Sequence, residues 1–461
     1  MSRGEPRRSP RPGRGASRAY HFPQFDRSRL SNAMGLLTAP APKLPLVSVV
    51  ALIDAGATCD PPQRDGTARL AAKLLLEGTT TSSGAALVER FEQLGATVDA
   101  DATWDAATVT MTVLSANLAP AFALLSEVLR RPAFHEREVD RLKEERQAEL
   151  LQLRSEPRGL ADESFSRFLY APESRYARPE GGRLESVRAI SRDDVSAFYH
   201  AYYLPARATI IMTGDVSQKV AEQLAIDAFV DWHGSTGTNP ENDDRQGRPT
   251  RQIRLVEKPD APQVELRIGH VGIPRRHPDY FAVVVMNAIL GGLFSSRINL
   301  NLREAHGYTY GAFSSFEWRR QAGPFMVSTA VQSDVTAAAA KEIVTEIERI
   351  RMTPVTQEEL SLATSYLEGV FPIQYETTAS IATALSMLVR HDLPADYFNV
   401  YRTHIRNVSA EDILHAAREH LHPDALQLTA VGDASVIAEP LAALNFGPLY
   451  RHDADWHLTS S

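Results

Sequence analysis

The sequence predicts an α+β protein made of two homologous α/β modules, each an antiparallel-rich sheet covered by helices on one side. Three observations lead there. The segment VRAISRDDVSAFYHAYYLPARATIIMTGDVS, starting at Val187, aligns without a gap on IRNVSAEDILHAAREHLHPDALQLTAVGDAS, starting at Ile405. Ser191 falls opposite Ser409, Asp194 opposite Asp412, Pro205 opposite Pro423 and Gly214-Asp215 opposite Gly432-Asp433, all at an offset of 218. A second block, RRPAFHEREVDRL against RMTPVTQEELSLA, agrees at an offset of 221 and sets Phe134 opposite Val355 and Glu138 opposite Glu359. Register held over such lengths marks an internal repeat. Between the copies, residues 234–250 (GSTGTNPENDDRQGRPT) carry no aliphatic or aromatic side chain and several turn formers, the composition of a linker. Finally, helical and strand periodicities alternate within each copy.

The elements follow in chain order. Leu87, Phe91 and Leu94 recur at i, i+4 and i+7, and Gly95 supplies a C-terminal break, so this stretch reads as an amphipathic helix. Val109, Met111 and Val113 alternate with Thr108, Thr110 and Thr112, the pattern of a half-buried strand. Val139, Leu142, Arg146, Glu149, Leu150 and Leu153 trace one stripe of a helix. Ser191 is a helix N-cap with Asp194 completing a box; the helix runs to about Tyr203, Pro205 stops it, and Ala208 to Thr213 forms a buried strand ending at a Gly-Asp turn. In the second copy, Ser295 or Ser296 caps a helix with Ile298 and Leu302 on one side and Gly307 at its end; Tyr308 to Phe313 leads back into the sheet.

These readings divide the chain into a flexible basic tail (1–19), a first module (20–233), the linker (234–250), a second module (251–450) and a short tail (451–461). At 461 residues, 43% hydrophobic and 23% charged, the composition is ordinary for globular domains. A net charge of −8 disfavours nucleic acid as the main partner. The single Cys59 excludes an intrachain disulfide and a Cys-rich zinc module. The apolar run from Leu44 to Ile53 is too short for a membrane span of ~20 residues. Residues 1–18 hold six arginines against one glutamate and are followed by no secretory hydrophobic core, so a cytoplasmic location is expected. Their proline and glycine content argues against the amphipathic helix of a transit peptide and leaves a flexible tail or an upstream start codon.

Several long segments in order resemble the pitrilysin/insulinase (inverzincin) metallopeptidases: LPLVSVVALIDAGA, DGTARLAAKLLLEGTT, FEQLGATVDADATWDAATVTMTVLS and SSRINLNLREAHGYTYGA. The resemblance covers about residues 20–445 and implies a clamshell half built from homologous modules. The family's zinc motif, HxxEH, sets two imidazoles four residues apart on one helix face with a glutamate base between them. Alignment on Gly78-Thr79 puts these positions at Arg69, Ala72 and Lys73. Arginine and lysine offer no lone pair near neutral pH, alanine offers no base, and two cations on one face repel Zn²⁺. The third family ligand corresponds to Glu149, which is retained. Two readings of Glu149 stand: a surface carboxylate on a charged helix, or an ion-pair partner of Arg69 or Lys73 in place of the metal. No other metal set emerges: His135-Glu136 lacks a second histidine at Val139, and His415, His420 and His422 do not stack on one helix face.

The resemblance also implies a role for Arg303 and Tyr310, which match an Arg/Tyr pair that in the family's non-zinc chains reaches towards peptide substrate. A guanidinium and a phenol can donate hydrogen bonds to a substrate carbonyl or a developing oxyanion. The alternative for these two residues is an ion pair of Arg303 with Glu304 and core packing of Tyr310. The expectation is a non-catalytic, substrate-positioning subunit of a heterodimeric zinc peptidase. Zinc would be carried by a homologous HxxEH-containing partner and none by this chain, with peptide enclosed between them and the threonine-bearing strand accepting it by β-addition. The alternative is a scaffold or substrate-recognition protein of the same fold with no part in proteolysis.

Overall fold

The computed structural model describes residues 19–234, 247–259 and 261–460; the basic tail and most of the expected linker lie outside the described residues. The first sheet contains β1 (Asp26–Arg29), β2 (Gly35–Pro40), β3 (Leu46–Ile53), β4 (Thr97–Ala102), β5 (Ala107–Leu114) and β6 (Ala208–Gly214), in the order β1-β2-β6-β3-β5-β4. The second contains β7 (Gln252–Glu257), β8 (Val264–Val271), β9 (Ala312–Phe316), β10 (Pro324–Val331), β11 (Gln427–Gly432), β12 (Leu449–His452) and β13 (Leu458–Ser460), in the order β13-β12-β7-β11-β8-β10-β9. Five strands superpose in order and direction: β2-β6-β3-β5-β4 repeats as β7-β11-β8-β10-β9, with one parallel pair at the start and antiparallel pairs thereafter. The internal repeat is therefore a repeat of topology.

Local chemistry repeats with it. Ser191 accepts from the Asp194 N–H at 3.1 Å while Asp194 accepts from the Ser191 N–H at 2.8 Å, and Ser409 with Asp412 forms the same box at 3.1 and 2.9 Å. Gly95 (φ +64°) and Gly307 (φ +68°) end corresponding helices in the left-handed conformation that a side chain would strain. In β5 the residues Val109, Met111 and Val113 are buried and the threonines between them are not, as the alternation predicts.

The expectation that helices cover each sheet on one side is corrected by an exchange between the modules. Seven of the eight residues of β3 are buried without alternation, the pattern of a strand covered on both faces. Its second cover is the helix Thr378–Arg390 of the other module, whose Ile381, Leu385 and Leu388 pack on Leu37, Val50 and Ile211. Reciprocally, the helix Pro157–Leu169 of the first module lies on β8 and β11, with Leu160, Ala161 and Phe168 against Val256, Val431 and Trp456. Polar groups seal both contacts: Thr213 Oγ1 donates to the Thr378 carbonyl at 2.6 Å, and Arg267 Nε to Asp162 Oδ1 at 2.6 Å.

Two further expectations change. The C-terminal stretch expected to be a tail instead forms β12 and β13, pinned by the buried Trp456, whose indole N–H donates to Ser164 Oγ at 2.8 Å. The threonine-bearing strand β5 has no free edge, because β3 and β4 pair with it on either side; the outermost strand here is β4. The stretch Tyr280–Ala305 has the length and hydropathy of a membrane span, yet 56% of an 18-residue apolar segment within it is buried and its backbone turns extended at Leu293 (φ −110°, ψ 156°), so it serves as two core helices.

Glu359 joins the entry of one of these helices to the next layer. It accepts from Arg297 in a fork at 2.6 and 2.9 Å and from the Thr356 N–H at 2.8 Å. Burial pushes its carboxyl up, but Arg297 and the Thr356 cap outweigh that and hold it at about 2. A depressed carboxylate pKa stabilises the fold above the unfolded value and loses that contribution as pH falls through the folded one. Acid titration of Glu359→Gln against the parent chain is therefore expected to show converging stabilities between about pH 4.5 and about pH 2.

Candidate functional site

The helix Thr67–Leu74 carries the degenerate motif, and its start is held from a distance. Its cap residue Gly66 (φ +99°) has no side chain to offer; instead Asp60 accepts from the Gly66 and Ala68 N–H groups, both at 2.7 Å. Asp60 is in turn paired with Arg175 at 2.7 Å, and both side chains are almost wholly buried. A carboxylate at the positive end of a helix is favoured by its orphan N–H groups.

Arg69 and Lys73 project from one face of this helix, while Ala72 is packed into the first core. Both cations point to β4: Arg69 Nε lies 3.4 Å from Asp101 Oδ1, and Lys73 Nζ lies 3.2 Å from Asp99 Oδ1 and 3.9 Å from Asp101 Oδ2. Asp99 and Asp101 are two residues apart on a strand and so share a face. The sequence reading missed these partners; the DADA run at residues 99–102, with both acids on one face of a strand, was the available signal.

Glu149 stands on the helix Glu136–Ser155 and lines the same pocket of about 80 Å³ as Arg69, Lys73, Glu145 and Arg146. The fold thus brings the three ligand-equivalent positions together. The expected ion pair of Glu149 with Arg69 or Lys73 is not formed, and this corrects the sequence reading. Glu149 pairs with Arg146 one turn away at 2.9 Å, and Arg146 Nε also donates to the Gly181 carbonyl at 3.0 Å. The physical reason is competition: the helix packs on β4, whose carboxylates reach the two cations first, and Arg146 satisfies Glu149 locally. The predicted stripe is corrected as well, since Val139 and Leu150 are buried while Glu149 and Leu153 are exposed. Glu180 lies beside Arg69 and Asp101; burial, reinforced by Glu317, pushes its carboxyl up against the pull of Arg319 and Arg69.

Arg303 and Tyr310 flank the turn after the helical run Arg297–Ala305, which widens into π-turns from Leu300. Ser296 stands at its N-cap in extended conformation without a side-chain cap bond; Ile298 and Leu302 are buried as expected. Arg303 Nη1 meets Glu304 Oε1 at 3.2 Å and its guanidinium lies 4.4 Å from the centre of the Phe294 ring. Thr309 braces the turn, donating to the Ala330 carbonyl at 2.8 Å and accepting from the Gly311 N–H at 3.1 Å. Between those anchors Tyr310 is 91% exposed, so core packing of its ring is ruled out, whereas the Arg303–Glu304 pair is present. Phe294 and Phe313 extend an exposed aromatic surface around them.

Comparison with known proteins adds the lineage. Residues 37–175 match the family described as Insulinase (Peptidase family M16), and residues 189–367 match the Peptidase M16 inactive domain. The chain belongs to the insulinase family, peptidase family M16. Its insulinase-family relatives include an uncharacterized zinc protease, YmxG, of Bacillus subtilis, 21% identical over 76% of this chain and 84% of that one. A probable mitochondrial-processing peptidase subunit beta of Schizosaccharomyces pombe is 27% identical over 59% of each chain. A crystal structure of a peptidase M16 inactive domain from Pseudomonas fluorescens superposes with a TM-score of 0.83 at 27% identity, covering 89% of this chain and 98% of that one. The family implies zinc, and the residues at the motif do not fit it: Arg69 and Lys73 are cations already neutralised by β4, and Ala72 is a buried methyl group.

Proposed function

We propose that this M16 homologue is the non-catalytic subunit of a two-chain peptidase, positioning peptide for a homologous partner that carries HxxEH and its zinc. The observation that carries this reading is the contrast between its two candidate sites. The motif pocket is closed to a metal by Arg69 and Lys73, whereas Tyr310, just past the turn that follows Arg303, is held out in solvent with nothing in the core to explain it. In the assembled pair the Arg303 guanidinium and the Tyr310 hydroxyl would donate to the substrate carbonyl and to the charge that develops on it. Peptide added to a sheet edge in this chain would use β4, the outermost strand beside the motif pocket.

The test is reconstitution. The purified chain with added zinc is expected to leave a fluorogenic peptide intact, and mixing it with a homologous HxxEH chain is expected to give hydrolysis that neither chain shows alone. Robust hydrolysis by this chain alone that persists in Glu149→Ala would overturn the proposal. The scaffold reading draws on the Arg303–Glu304 pair and the Phe294 contact, which would serve a purely structural Arg303; under it, Arg303→Ala leaves the activity of the mixture unchanged.

A further inference from the structure

A second cluster of potential ligands lies in the second module, away from the motif helix. His277 and Asp279 flank Pro278 at the entry of the helix Tyr280–Asn287, and His420 is the last residue of the helix Ala410–His420. His420 Nε2 lies 2.6 Å from Asp279 Oδ2, His277 Nδ1 lies 3.8 Å from the same oxygen, and the two imidazoles meet edge to face with centres 4.7 Å apart. One ligand atom from each residue falls within 4.8 Å of the other two. A tetrahedral zinc with bonds of ~2.0–2.1 Å keeps its ligand atoms ~3.3 Å apart, a spacing that 2.6 and 3.8 Å bracket.

We infer that His277, Asp279 and His420 form a binding site for a divalent transition cation, with zinc as its probe and the remaining coordination position open to water. Two imidazoles and one carboxylate are a donor set that suits such ions. The protonation states favour it. The Asp279 N–H donates to His277 Nδ1 at 3.1 Å, so that nitrogen already carries its lone pair, and the metal would take over that lone pair. On the other side the metal takes the place of the proton between His420 Nε2 and Asp279 Oδ2; a neutral ring moves that proton to Nδ1 by exchange with solvent, and an imidazolium ring gives it up to solvent. His277 and Asp279 are about one third exposed, which gives an ion its way in. Bound there, the ion ties the last turn of one helix to the first turn of another, a contact the His420–Asp279 hydrogen bond already makes more weakly.

The experiment uses the full chain stripped with chelator and titrated with Zn²⁺ by calorimetry, with Co²⁺ absorption as the spectroscopic readout of ligation. One equivalent of Zn²⁺ is expected to bind and to raise the thermal midpoint. His277→Ala and His420→Ala are each expected to weaken binding by more than the ~10–100-fold that losing a hydrogen-bond partner of a ligand costs, and to abolish the Co²⁺ band. His415→Ala, an exposed neighbour on the same helix, is expected to change nothing. No binding by the parent chain, or binding unchanged in His277→Ala, overturns the inference; His277 is exposed enough that this variant keeps the test decisive if His420→Ala fails to fold. No partner or peptide takes part, so the outcome is independent of the proposed peptidase role.

Discussion

Replacing Arg175 with alanine is expected to lower the unfolding free energy by about 3–5 kcal/mol, the usual cost of stripping one partner from a buried ion pair. Arg175 and Asp60 are almost wholly buried and 2.7 Å apart, and Asp60 is the acceptor that starts the motif helix. Without the guanidinium the carboxylate keeps two N–H donors but loses its counter-charge. Even with Arg175 in place, burial pushes Asp60 up to about 6. A raised carboxylate pKa means that the folded state holds a proton the unfolded state has released, so stability falls as pH rises through that window. The variant extends the window upward, and its deficit is expected to be larger at pH 8 than at pH 5. Urea unfolding at the two pH values checks both statements. The pair of changes Asp60→Asn and Arg175→Met is expected to cost less than Arg175→Ala alone, since no charge is left unpaired and the asparagine carbonyl oxygen keeps one of the two helix N–H groups. Equal losses in the single and double variants would show that packing of Arg175 against Trp104, rather than charge, sets the cost.

The second large effect concerns activity. In the reconstituted pair, Arg303→Ala is expected to lower kcat/KM by roughly 100–1,000-fold, the scale seen when a donor to a developing oxyanion is removed. Tyr310→Phe is expected to lower it less, because a neutral phenol donates a weaker hydrogen bond than a guanidinium. Both variants should fold normally: Tyr310 touches little, and Arg303 makes only a partly exposed ion pair with Glu304 and a contact with Phe294. If the fall appears in KM while kcat holds, Arg303 contributes binding alone. Unchanged kinetics in a well-associated pair would leave the scaffold reading.

Much of the fold was legible in the sequence because its signals are local. The Ser191 and Ser409 caps and the alternation in β5 each depend on residues a few positions apart, and the 218-residue offset is the recurrence of one such local pattern further along the chain. The exchange of helices between the modules was not legible. Leu385 and Leu160 look like any core residue in their own helices, and nothing within a turn or two says whose sheet they will meet. The fate of 451–460 escaped for a related reason, as short strands with one buried tryptophan resemble a polar tail until Ser164 is brought alongside.

The same division runs through the sites. That the motif helix cannot ligate zinc is written in its residues, because the lone pairs missing at Arg69, Ala72 and Lys73 are absent from the covalent chemistry and no folding restores them. Which acids take those cations was settled by packing. Asp99 and Asp101 do so from the adjoining strand, leaving Glu149 to Arg146. The tertiary structure alone also put Tyr310 in solvent, and it brought His420 to Asp279 across 141 residues of chain. Charge and hydrogen-bond partners are chosen by distances of a few ångströms, and those distances are fixed by packing between elements that the sequence lists far apart.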